Sequence, residues 1–132
     1  MICGIAHVCL VTCDLNAMIL FYCDRLGLTA GFDYYDESGN RYGKYIYVGR
    51  RTFLELFLAE QIERSEHAPC RHLCLEVDDM DTAVADLRSA GIDVTDPQRG
   101  KDRSWQAWLC DPDGNRIELH AYTDQSKQGE YF

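Results

Sequence analysis

Positive charge is scarce in this 132-residue chain: 13 Lys and Arg stand against 22 Asp and Glu, a formal net charge of −9. That balance argues against binding a phosphate backbone through bulk electrostatics, so no nucleic-acid partner is expected. Proline is nearly absent, at 3 residues, and no low-complexity or Pro/Gly-rich stretch interrupts the chain. A flexible interdomain linker is therefore not expected. No apolar run approaches the roughly 20 residues a membrane helix needs, which excludes a helical membrane span. The N-terminus lacks a cationic region ahead of its apolar stretch, so no signal peptide is expected and the location reads as cytoplasmic. Disulfide signals are missing too. Seven cysteines are an odd number, in a chain large enough not to need staples, and they read as reduced thiols. The C-x3-C spacings of Cys9/Cys13 and Cys70/Cys74 read as small buried hydrophobes more readily than as zinc ligands.

Hydrophobic residues make up 46% of the chain, enough for one continuous core in a domain of this size. Cys3–Thr12 reads as a buried strand. Asp14 then offers an N-cap, Leu15, Met18, Ile19, Tyr22 and Leu26 follow at helical spacing, and Gly27 stands at the C-cap position. Strands over Leu28–Tyr35, Tyr42–Val48 and Thr52–Leu58 complete a β-α-β-β-β order. After a polar linker over 60–69 the order repeats. Arg71–Val77 reads as a strand, Asp79 caps a helix ended by Gly91, and Ile92–Val94 is a short strand. A polar loop over 96–102 leads to strands Trp105–Cys110 and Asn115–Tyr122, joined by the turn Asp111-Pro112-Asp113-Gly114. Residues 123–132 read as a C-terminal tail. The fold class is thus α+β: two βαβββ modules, 3–59 and 70–122, in a single domain spanning 1–122. A bare concave sheet in one module cannot cover itself, so the modules are expected to pack together and enclose a cavity.

The modules also repeat in sequence. His-Val-Cys-Leu-Val-Thr-Cys-Asp-Leu from His7 aligns with His-Leu-Cys-Leu-Glu-Val-Asp-Asp-Met from His72 at a constant offset of 65. Each module ends in a strand with a carboxylate at its middle: Glu55 within Phe53–Phe57, and Glu118 within Arg116–His120. His7 to Glu55 spans 48 residues and His72 to Glu118 spans 46, so pseudo-twofold symmetry would bring the four to one axis. An unpaired buried carboxylate costs several kcal/mol out of a stability of about 5–15 kcal/mol. Protonation, an Arg partner or a bound cation would each compensate. Mixed imidazole and carboxylate ligation with open positions suits one divalent ion: Zn, Ni, Co, Mn or Fe(II).

Over residues 5 to 121 the chain resembles the vicinal oxygen chelate superfamily, and within it glyoxalase I (lactoylglutathione lyase). The matches are His7 with its Asp-Leu helix start, Leu54-Glu55-Leu56, His72-Leu73-Cys74-Leu75-Glu76-Val77, and Asp111-Pro112-Asp113-Gly114-Asn115-Arg116-Ile117-Glu118-Leu119. The resemblance implies an eight-stranded mixed sheet curved around a metal-centred cavity, a homodimer, and His7, Glu55, His72 and Glu118 as metal ligands. It also separates the branches. Fosfomycin-modifying enzymes and extradiol dioxygenases have no ligand at the place of Glu55, the methylmalonyl-CoA epimerase branch has Gln there, and bleomycin-binding members lack the metal set. Glu55 therefore favours an isomerase or lyase. Bacterial glyoxalase I carries an Arg and an Asn, anchors for glutathione, where this chain has Val11 and Ala59. A glutathione hemithioacetal is thus not the expected physiological substrate.

The chemistry such a site suits is proton transfer via an enediolate, on a small α-hydroxycarbonyl compound or its thiol adduct. Glu118 is taken as the main base and Glu55 as ligand or second base. Strand alternation places Cys9 on the face of His7, and Cys74 and Glu76 on the face of His72. Family comparison adds Gln106 and Trp108, and these side chains are expected to line the substrate cavity. Tyr45 and Tyr47 are weaker candidates of the same kind. Two alternatives stand beside this reading: an Fe(II) oxygenase or thiol transferase using the same ion, and a ligand-sequestering resistance protein without turnover.

Overall fold

A computed structural model describes residues 1–65 and 67–132; the linker expected over 60–69 includes Glu66, which lies outside the described residues. The chain divides into two compact units, Met1–Glu66 and His67–Phe132.

The first unit runs β1 (His7–Thr12), α1 (Leu15–Ile19), a π-helical turn (Leu20–Arg25), β2 (Thr29–Tyr35), β3 (Arg41–Gly49) and β4 (Thr52–Leu58). Asp14 caps α1 by accepting from the Ala17 amide at 3.0 Å, satisfying one of the helix's orphan donors. Gly27 closes the helical segment at φ +76, where a Cβ would be strained. The strand order is β1-β4-β3-β2, with β1 parallel to β4. Met18 and Tyr22 on the helical face and Ile46, Leu54 and Leu56 on the sheet are fully buried. Burial of each such side chain is worth about 1.5–3 kcal/mol. The opposite face of the sheet carries an aromatic cluster. Phe32 stacks on Tyr45 at 4.8 Å, and Tyr45 lies 4.9 Å from Phe53.

The second unit runs β5 (Leu73–Glu76), α2 (Met80–Ser89), β6 (Gln98–Arg99), β7 (Trp105–Cys110), β8 (Arg116–Ala121) and a 3-10 turn (Lys127–Tyr131). Asp79 caps α2, accepting from the Thr82 amide at 2.7 Å. The order is β5-β8-β7-β6, again with the first and last strands parallel. Val84 and Leu87 of the helix and Ala107, Leu109, Ile117 and Leu119 of the sheet are buried.

Three details differ from expectation. Among the described residues the eight strands form two four-stranded sheets, because every pairing runs within one unit. Ile92–Val94 is not a strand; the sheet edge is β6, where Gln98 and Arg99 pair with Gln106 and Trp105. Ile92 and Val94 are buried all the same. The Val94 carbonyl accepts from the Arg88 guanidinium at 2.8 Å, and Thr95 alone engages β7, at Trp108. Their apolar character marked burial, and burial does not require ladder pairing. Finally, residues 123–132 do not trail away. Ser126 Oγ lies 2.8 Å from the buried Ser104 Oγ and accepts from the Thr123 amide. The Lys127 amide donates to the Asp102 carbonyl, and Gln128 Nε2 to Asp102 Oδ2 at 2.7 Å. No described helix is long and apolar enough to cross a membrane.

Candidate metal centre

In each unit the parallel strand pair sets the geometry. Cys9 stands opposite Glu55 in the β1–β4 register, and Cys74 opposite Glu118 in the β5–β8 register. Partners in register point to the same face of a sheet. One thiol and one carboxylate are thereby neighbours in both units, and the preceding histidine of each unit reaches the same carboxylate. His7 Nε2 lies 3.1 Å from Glu55 Oε2, and His72 Nε2 lies 3.1 Å from Glu118 Oε2. His7 ends the N-terminal side of β1, whereas His72 sits just ahead of β5.

The surroundings of the two pairs differ. Around Glu55 they are aromatic. Tyr45 Oη is 3.2 Å from His7 Nδ1. The Tyr34 hydroxyl bonds Glu55, and burial followed by the Glu55 charge raises the Tyr34 pKa. Burial and then Glu55 likewise push the Cys9 thiol up. Tyr47 reaches the same cluster through Phe53.

Around Glu118 the surroundings are polar and more enclosed: its side chain is 9% exposed against 15% for Glu55. His120, two residues along β8 and on the same face, places Nδ1 3.2 Å from Glu118 Oε1. Cys74, Glu118 and His120 offer ligand atoms within 4.8 Å of one another. Burial, then the Glu118 and Asp102 charges, push the Cys74 thiol up to about 11. Trp108 meets the His72 ring edge-on at 4.9 Å, and the Arg116 guanidinium covers it at 4.4 Å. An open cleft of about 550 Å³ is lined by His72, Cys74, Glu76, Gln106 and Glu118 together with Asp102, His120 and Gln128.

Within each unit, then, the expected residues are neighbours: His7, Cys9 and Glu55 in one, and His72, Cys74, Glu76, Gln106, Trp108 and Glu118 in the other. Sequence reading passed over Tyr34, His120, Asp102 and Gln128. Strand alternation from Glu118 could have found His120. Asp102 lies in a loop and Gln128 in the C-terminal turn, where no periodicity indicates a face.

A family profile described as Glyoxalase/Bleomycin resistance protein/Dioxygenase superfamily matches residues 4–119. Uncharacterized protein YaeR of Escherichia coli strain K12 is 31% identical over 122 residues, 86% of this chain and 92% of that protein. Among solved structures, a glyoxalase family protein from Enterococcus faecalis superposes with a TM-score of 0.75 at 24% identity, covering 89% of this chain and 96% of the other. Lactoylglutathione lyase from Agrobacterium tumefaciens gives 0.68 at 24% identity, covering 89% and 92%. At these identities the structural likenesses speak for the fold.

Proposed function

Since the chain belongs to the glyoxalase/bleomycin resistance protein/dioxygenase superfamily, we propose that it is a metal-dependent isomerase or lyase of the glyoxalase I type. It moves a proton beside a carbonyl in a small α-hydroxycarbonyl compound or its thiol adduct. The observation that carries this reading is the repeated imidazole–carboxylate pair, His7 with Glu55 and His72 with Glu118, each 3.1 Å apart. His7, Glu55, His72 and Glu118 are the ligands this reading assigns, and imidazole with carboxylate donors suits one divalent ion such as Zn, Ni, Co, Mn or Fe(II). A carboxylate as buried as Glu118 also needs compensation for its charge, which such an ion provides.

When bound, the ion polarises the substrate's oxygens and offsets the negative charge left as the C–H proton departs. Glu118 accepts that proton and returns it to the neighbouring carbon, acting as base and then acid. Glu55 would serve as a ligand of the ion or as the second base. In the cleft Glu76 would receive a substrate hydroxyl or amine, Gln106 and Cys74 line it, and Cys9 holds the matching place beside Glu55. Trp108 walls the cleft at His72. The resemblance implies a homodimer, and seven thiols read as reduced fit a cytoplasmic location.

The test is metal analysis of protein purified without chelator or added metal, beside Glu118→Gln and His72→Ala. Deuterium incorporation next to the carbonyl of α-hydroxyketone probes in D2O is followed by NMR. Near-stoichiometric Zn, Ni, Co or Mn, weakened in His72→Ala, with exchange abolished in Glu118→Gln, supports the reading. Iron moves it to an oxygenase. No metal in any sample, with unchanged stability of the variants, overturns it.

A further inference from the structure

His120 has no place in the scheme above, yet its setting is among the most constrained in the molecule. The residue is 7% exposed. Nδ1 faces Glu118 Oε1 at 3.2 Å, while Nε2 is buried without a hydrogen-bond partner among the described residues and points at Asp102 Oδ2, 3.6 Å away. A buried polar atom left in this way calls for an explanation. Asp102 is itself anchored. Gln128 Nε2 donates to its Oδ2 at 2.7 Å, the Ser104 amide to its Oδ1 at 3.2 Å, and the Lys127 amide to its carbonyl at 2.9 Å. Gln128 is thus bonded to Asp102, Asp102 faces His120 across 3.6 Å, and His120 meets Glu118. Glu118 Oε2 in turn meets His72.

Among the described residues the first unit has no imidazole at the matching place. The position in register with Val11 on β4, matching His120 opposite Glu76 on β8, is Phe57. That side chain packs among Tyr34 and Tyr42 and has no donor to offer Glu55.

We propose that His120 is a positioning residue: with Asp102 and Gln128 behind it, it holds Oε1 of Glu118 and turns Oε2 alone toward a cation at His72. This rests on the metal-ligand role proposed for Glu118. A ligating carboxylate with one oxygen fixed loses less freedom on binding, and such supporting partners typically contribute about 10- to 100-fold in metal affinity.

The test is the affinity of the full chain for manganese(II), read by competition with a chromophoric chelator and by the EPR signal of the bound ion. Wild type is compared with His120→Ala, His120→Asn, His120→Gln, Gln128→Ala and His7→Ala. His120→Ala is expected to bind about 10- to 100-fold more weakly and to change the EPR line shape. His120→Asn keeps a donor near the place of Nδ1 and recovers most of the affinity. His120→Gln keeps a donor nearer the place of Nε2 and does not. Gln128→Ala, remote from the ion, weakens binding by several-fold. A role confined to packing predicts instead that Asn and Gln behave alike and that the line shape stays fixed; that result overturns the proposal. So does wild-type affinity in a folded His120→Ala, and if His7→Ala then still loses the ion, the metal reading itself stands. No manganese binding by the wild type overturns both.

Discussion

The two units build the same backbone and furnish it differently. Each sets a histidine 3.1 Å from a mid-strand glutamate and a cysteine opposite that glutamate. Beyond these shared atoms, Glu55 looks onto Tyr34, Tyr45 and Phe53, and Glu118 onto His120, Cys74 and Gln106. Phenol and benzene rings give shape and few acceptors, whereas the second unit offers carboxylates, an imidazole and amides. Two copies of one element thus set the same imidazole–carboxylate pair in different surroundings, aromatic in the first and polar in the second.

That difference is open to attack at matched positions. Glu118→Gln is expected to lower solvent exchange of an α-hydroxyketone probe by about 10²- to 10⁴-fold, the usual worth of a positioned base. Glu55→Gln is expected to act mainly through metal affinity, by about 10- to 100-fold. Equal losses in exchange at saturating metal would erase the distinction between units. Next come the cores, where the units are expected to agree. Leu54→Ala and Ile117→Ala remove fully buried side chains from β4 and β8 and are each expected to destabilise by about 2–5 kcal/mol. Chemical denaturation measures both, and two separate transitions would show that the units unfold independently.

A smaller effect separates the thiols. In metal-free protein, alkylation of Cys74 is expected to stay slow at neutral pH and to rise as the pH nears about 11, where burial and then the Glu118 and Asp102 charges place its titration. Glu118→Gln removes one of those charges, lowers the thiol pKa and speeds labelling at pH 8, by about tenfold for each unit of pKa. Mass spectrometry of the labelled peptides reads the rate. Cys9, raised by burial and then by Glu55 alone, is expected to respond to Glu55→Gln and not to Glu118→Gln. The smallest effect is at the helix starts. Asp14→Ala and Asp79→Ala each remove a cap to a backbone amide and are expected to cost about 1 kcal/mol in thermal or denaturant unfolding.

The sequence made much of this legible, and the reasons are physical. Asp14 and Asp79 cap helices as their position before an apolar-periodic run implies, and Thr52–Leu58 and Trp105–Cys110 are strands at the expected bounds. Strong local chemistry and regular alternation state their own structure. The edge strand did not. Gln98 and Arg99 have no strand-like character and pair only because β7 presents a free edge to them, while Ile92 and Val94 are buried without pairing. For the candidate site, the repeat singled out His7, Glu55, His72 and Glu118, and the structure shows His7 beside Glu55 and His72 beside Glu118. Asp102 and Gln128 could not be found this way, since they reach His120 and each other through a loop and a 3-10 turn. In such segments, neighbours in space leave no spacing in the chain.

The parallel pairing of the first and last strand in each unit also has a kinetic consequence. The meander from β2 to β4 joins neighbours in the chain, whereas β1 meets β4 only after the 45 residues between His7 and Phe53 have closed into a loop. Closing long loops is entropically slow compared with forming hairpins. Pulse-labelled amide exchange during refolding is therefore expected to protect Tyr45 before Val8. Each imidazole reaches its carboxylate at the end of its unit's assembly, so a refolding chain offers no finished imidazole–carboxylate pair until its sheet is complete.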